Sequence, residues 1–137
     1  MALTHLLDTS VFCQPIKPAP LSSVQSRWTA LGDEALAVSV VCEAELLYGL
    51  ELRASAKLDA QYGHLLKNRL QSLPVDSAVA IAFARLKSWA KKQGHSAADF
   101  DFLIAATAKA HGLVLATLNY RHFQWMEGLA VEDWTKD

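Results

Sequence analysis

The runs "LTHLLD" (Leu3–Asp8), "ALAVS" (Ala35–Ser39) and "LVLAT" (Leu113–Thr117) are short, dominated by apolar residues and separated by segments of helical periodicity. A sheet with one wet face would alternate apolar and polar residues along each strand. Near-continuous apolar runs instead suit parallel strands buried on both faces. "LPV" (Leu73–Val75) reads as a further short strand, and "AVEDW" near the end as a fifth. The alternation predicts an α/β fold of three layers, with a central, mostly parallel sheet and helices on both faces.

Between the strands the punctuation is clear. "QPIKPAP" holds three prolines and must be irregular. Ser22 or Ser23 is expected to cap a helix that stops near Gly32. Ser39 is expected to cap "VVCEAELLYGLELRA", and a longer helix to follow around "AKLDAQYGHLLKNRLQS". Asp76 or Ser77 should cap "AVAIAFARLKSWAKKQ", with Lys91 and Lys92 as its solvated end and Gly94 closing it. Asp99 is the expected cap of "FDFLIAATAKAH", which Gly112 terminates. No repeat or linker divides the 137 residues, so one domain spanning 1–137 is expected.

Hydrophobic residues make up 52% of the chain. The surplus suits a sheet buried on both faces or a surface kept for a partner, with Trp28, Trp89, Trp125 and Trp134 as candidate anchors or core residues. Net charge is −1, so a nucleic-acid partner would need a local basic patch or metal ions at the contact. Cys13 and Cys42 lack CxxC spacing and read as buried thiols of a reducing compartment. The N-terminus meets Asp8 too soon for a signal peptide, and no run approaches the roughly 20 apolar residues of a membrane span. A cytoplasmic location without membrane contact is expected.

In open α/β sheets ligands gather outside the carboxyl ends of the strands. Asp8 closes the first strand, Glu43 and Glu45 lie on the helix after the second, and Thr117 and Asn119 close the fourth. The helix before that strand opens with Asp99 and Asp101. Carboxylates gathered there repel one another, and a divalent cation resolves the repulsion. Magnesium takes oxygen ligands, and such ions activate water during phosphodiester cleavage. The constellation therefore suits metal-dependent hydrolysis of a nucleic acid.

Each residue has a plainer use. Asp8 reads equally well as a cap, and Asp101 as a first-turn charge meeting the helix dipole. Ile104, Ala105 and Ala108 share the helical face of Asp101, which turns that carboxylate inward, where it needs a partner. Glu43 and Glu45 both share their faces with apolar residues, so periodicity does not choose between them. Asn119 suits a turn, and Arg121 and His122 a surface loop within reach of phosphate. No P-loop, GxGxxG, GxSxG or HExxH occurs, and the five histidines do not pair at ligand spacing.

The segments "LLDTSVF", "AELLYGLE", "DFLIAATAKAHGLVLATLN" and "VEDW" resemble, in order, those of PIN-domain ribonucleases, specifically VapC-type toxins of bacterial toxin–antitoxin pairs. The resemblance implies a PIN-like fold and a Mg2+- or Mn2+-dependent endoribonuclease, with tRNA among the family's substrates. It implies that Asp8 and Asp101 bind metal, that Glu45 rather than Glu43 completes the acidic set, and that Asn119 stands where many relatives carry a fourth acid. Thr9, Ser10 and Thr117 match supporting polar positions; Asp99 is an extra acid or only a cap. It further implies a homodimer held inactive by a VapB-like antitoxin, through which alone DNA would be contacted. The alternative is a catalytically weak binding module that serves mainly as co-repressor with that antitoxin. A third reading keeps the nuclease and takes DNA as substrate, since no residue reports recognition of the 2′-hydroxyl.

Overall fold

The computed structural model describes residues 2–137. Five strands, β1 (His5–Leu7), β2 (Leu36–Ser39), β3 (Gln71–Leu73), β4 (Val114–Thr117) and β5 (Val131–Asp133), form one sheet in the order β3-β2-β1-β4-β5. Every pairing is parallel. Leu6 and Leu7 of β1, Leu36, Ala37 and Val38 of β2, and Leu115 and Ala116 of β4 are all buried, so the central strands are covered on both faces.

The helices are α1 (Thr9–Phe12), α2 (Ser22–Leu31), α3 (Val40–Arg53), α4 (Ala56–Leu65), α5 (Ser77–Lys92), α6 (Asp99–His111) and α7 (Tyr120–Phe123). The chain steps from β1 to β2 to β3 in one direction, then returns past β1 to β4 and β5. Right-handed crossovers put the helices of these two halves on opposite faces of the sheet. The order therefore reverses between β1 and β4, and a crevice opens at the carboxyl ends of these neighbours.

Register fixes what meets there. Leu7 pairs with Ala116, which sets Asp8 beside Thr117, and Thr117 pairs with Asp133. Helix α6 precedes β4 and runs against it, so its first turn, with Asp101, lies at the same edge. Ile104, Ala105, Ala106, Thr107 and Ala108 are fully buried, which confirms the inward stripe read from the sequence. Gly112 ends α6 at φ +65°, a conformation an L side chain adopts only at a cost.

Several expectations need correction. The helix from Ala56 stops at Leu65 rather than near Ser72, because Asn68 at φ +60° turns the chain and Leu66 and Leu70 enter the core. Strand β3 begins at Gln71, two residues before the expected Leu73; only Leu73 of its three residues is buried, as suits an edge strand. Helix α2 has Leu21 at its N-cap without a side-chain bond, and the Ser23 hydroxyl donates to the Trp134 carbonyl at 2.8 Å instead. Asp99 does not cap α6. Ala98 occupies the cap, and the Asp99 carboxylate pairs with Lys87 Nζ at 2.6 Å. Trp28 and Trp134 are core residues, whereas Trp89 and Trp125 are half-buried and stacked with His95. Cys42 is buried, but Cys13 only partly, and both are free. Ser39 and Asp76 do cap α3 and α5. None of the described helices is long and apolar enough to cross a membrane.

Ala105→Leu adds volume to a site with no exposed surface on the face that carries Asp101. Urea denaturation is expected to show a loss of about 1–3 kcal/mol, the usual cost of overpacking a core.

Candidate active site

Asp8 leaves β1 in an extended conformation and caps the four-residue helix α1, its Oδ1 accepting the Thr9 backbone N–H at 2.8 Å. Its Oδ2 accepts the Ser10 hydroxyl at 2.9 Å and the Thr117 hydroxyl at 2.8 Å. Each hydroxyl is itself oriented. Ser10 Oγ accepts the Leu118 N–H at 3.1 Å, and Thr117 Oγ1 accepts the Asn119 N–H at 2.9 Å. With their oxygens so engaged, both hydroxyl protons point at the carboxylate. The cap and the inward acid are thus the same group.

Only 5% of Asp8 is exposed. Burial raises its pKa above the ordinary carboxylate value; its three hydrogen bonds oppose the shift, and the charge of Asp101 adds to it. Glu45, in the second turn of α3, accepts the Thr9 hydroxyl at 2.6 Å. Burial pushes its pKa up as well; the Thr9 bond opposes this, and the charges of Asp101 and Asp8 reinforce it. Glu43 points elsewhere, its carboxylate accepting the Ser72 hydroxyl of β3. Asp101 Oδ2 accepts from His122 Nε2 at 2.7 Å, since an ionised carboxylate has no proton to give.

Asp8, Glu45, Asp101 and Asn119 line one open cleft of about 840 Å3. Asn119 caps α7 by position, but its side chain makes no capping bond. Thr9 and Ser10 also face the cleft, whereas Thr117 is fully buried behind Asp8. Asp99 does not line it; its carboxylate is exposed and held by Lys87.

The sequence reading gave two members of the lining to a surface loop and missed a third. Arg121 and His122 belong to α7 rather than to a loop, and both face the cleft. Asp133, closing β5, is another acid of the cleft wall. The Thr135 hydroxyl and N–H, at 2.7 and 2.9 Å, hold its carboxyl below the usual range. Applying the strand-end rule to "VEDW" would have found Asp133. His122 gives no such signal, because its pairing with Asp101 spans 21 residues.

The donors in this cleft are oxygens, which suits a hard divalent cation. Among the described residues, no group of three or more His, Cys, Asp or Glu side chains is arranged to hold a metal ion by itself. An ion that takes few carboxylates and keeps several waters fits this set, and Mg2+ is of that kind. The raised pKa values of Asp8 and Glu45 mark negative charge that a cation would relieve. Cys42 is no ligand candidate: its buried thiol donates to the Leu7 carbonyl at 3.5 Å, and burial pushes its pKa up.

The fold and cleft define a doubly wound α/β domain whose switch-point crevice is built from carboxylates. The PIN domain matches residues 5–127, and the chain belongs to that family. It is 31% identical over 133 residues to the tRNA(fMet)-specific endonuclease VapC of Shigella flexneri, covering 97% of this chain and 99% of that protein. It is 35% identical over 122 residues to toxin FitB of Neisseria gonorrhoeae, covering 82% and 85%. Among solved structures, DNA-bound VapBC from Salmonella typhimurium superposes with a TM-score of 0.84 at 28% identity, covering 96% of this chain and 98% of that one.

Thr117→Val removes a donor to Asp8 and the acceptor of the Asn119 N–H while keeping the shape of the side chain. Stability is expected to fall by about 1–3 kcal/mol at neutral pH. The variant raises the folded pKa of Asp8 further, so the loss is largest above that pKa. It shrinks as pH falls toward the unfolded value and Asp8 takes up its proton. Denaturation at several pH values checks both the size and the trend.

Proposed function

We propose that this chain is a metal-dependent endoribonuclease that acts as the toxin of a toxin–antitoxin pair, hydrolysing RNA phosphodiester bonds, with tRNA the substrate class to test first. The observation that carries the proposal is the single cleft shared by Asp8, Glu45 and Asp101, in which the charge of Asp101 helps raise the pKa of both other acids and that of Asp8 helps raise Glu45. The names of similar proteins, a tRNA endonuclease and a toxin, support an RNA substrate and a toxin role.

In this reading Asp8 and Asp101 bind Mg2+ or Mn2+ directly, and Glu45 joins through water. When bound, such an ion polarises a phosphate oxygen and makes water a stronger nucleophile. The chain's own residues do the rest. Thr9, Ser10 and Thr117 hold the acids in place, and Thr9 joins two of them, through its N–H to Asp8 and its hydroxyl to Glu45. Glu45 faces the cleft with its carboxylate oriented by the Thr9 hydroxyl, which places it to accept a proton from water. Asn119 offers a neutral amide to water or phosphate, and Arg121 and Lys136 on the cleft wall offer positive charge to the flanking RNA backbone. Asp99 takes no part.

A second groove supports a partner for this toxin. Ile16, Leu46, Leu50 and Leu58 line an apolar channel that shares Thr9 and Glu45 with the acidic cleft. An amphipathic segment of a VapB-like antitoxin laid there would reach the acids, and DNA would be contacted through that partner. Exposed Leu47, Tyr48 and Leu52 on α3 are consistent with a homodimer.

Asp8→Asn and Asp101→Asn are each expected to lower RNA cleavage by at least about 100-fold while circular dichroism stays that of the wild type. Chelation should abolish wild-type cleavage and Mg2+ restore it. Wild-type rates in both variants would overturn the assignment. Inactivity of the antitoxin-free wild type across RNA pools and metals would favour a binding role, and faster cleavage of matched DNA would change the substrate.

A further inference from the structure

The three acids are not held equally. Asp8 receives three hydrogen bonds from the β1–α1 turn and β4, and Glu45 receives one from the same turn. Asp101 receives one, from a different element: His122 of α7 donates to its Oδ2 at 2.7 Å. Its Oδ1 has no donor among the described residues. The Asp101 side chain is 23% exposed, in the first turn of its helix, so solvent is within reach of an outward rotamer. Repulsion from Asp8 and Glu45 favours that rotamer, because all three carboxylates share the cleft.

His122 is well placed to oppose it. Helix α7 is pinned by Phe123, which is 1% exposed, and its first turn is tied by the His122 N–H to the Asn119 carbonyl at 2.9 Å. The Phe123 ring meets the imidazole edge-on at 5.3 Å and limits its rotation. The imidazole is therefore a donor fixed at both ends, joining the element after β4 to the element before it. Outer hydrogen bonds of this kind orient carboxylates that ligate metals.

We infer that His122 is the positioning residue for Asp101: by holding Oδ2 it keeps the carboxylate turned into the cleft and leaves Oδ1 for the cation. The inference rests on the metal-dependent reading above. It is opposed by a competing role for the same contact, in which His122 merely covers the ligand atom and must be displaced. The two differ in sign, since a positioning residue strengthens metal binding and a cover weakens it.

Calorimetric titration of the metal-free full-length chain with Mg2+, and with Mn2+ if heats are small, separates them. His122→Ala is expected to weaken binding about tenfold or more. Its urea midpoint without metal should stay near that of the wild type, because the side chain is half exposed. His122→Gln, whose amide N–H can reach the same carboxylate oxygen, should recover most of the affinity. Unchanged or tighter binding by His122→Ala overturns the inference while leaving the nuclease reading intact. A wild type that takes up neither cation overturns the metal-dependent reading, and the inference with it.

Discussion

The Asp8 carboxylate cannot ionise cheaply where it stands. A buried ion costs several kcal/mol even after the protein relaxes around it. Hydrogen bonds to a charged group each return about 1.5–3 kcal/mol. Asp8 has three of them, yet its pKa is still raised, so burial and the neighbouring negative charge outweigh its donors. The missing term is positive charge. The rest of the site is arranged around that deficit: Glu45 is raised for similar reasons, and Asp101 contributes to both shifts.

The fold supplies the deficit through register. Pairing of Leu7 with Ala116 puts Asp8 against Thr117, and the reversal of strand order between β1 and β4 leaves a crevice above them. Small residues on α6 let its middle, Ile104 to Ala108, lie fully buried, which brings its first turn to the same edge. The apolar stripe and the acid it presents are thus one device. The turn after β1 does similar double duty, capping α1 with Asp8 while the Thr9 side chain reaches across to Glu45.

What the sequence revealed follows from which signals are local. Central strands were legible because burial on both faces leaves unbroken apolar runs. Edge strand β3 was read two residues late, because Gln71 and Ser72 face solvent and read as the tail of a helix. Helices α1 and α7 have four residues each, too few for any period to show. The acidic set could be gathered by reading strand ends, and that reasoning reached Asp8, Asp101 and Asn119 together with both Glu43 and Glu45. It could not choose Glu45 over Glu43, since both faces of α3 are apolar; the structure separates them by their partners, Thr9 and Ser72. Asp99 was misjudged as a cap because Lys87, twelve residues earlier, holds its carboxylate instead. The contact between His122 and Asp101 joins two elements on either side of β4 and leaves no trace in any local pattern.

Asp8 sits in a crevice short of positive charge and suited to a cation. Its carboxyl carbon, followed by NMR through an acid titration of the metal-free chain, reports on that directly. The midpoint is expected above the ordinary value of 3.8, and it should fall when the titration is repeated in saturating Mg2+. A midpoint at or below 3.8 that Mg2+ leaves unmoved would contradict the account.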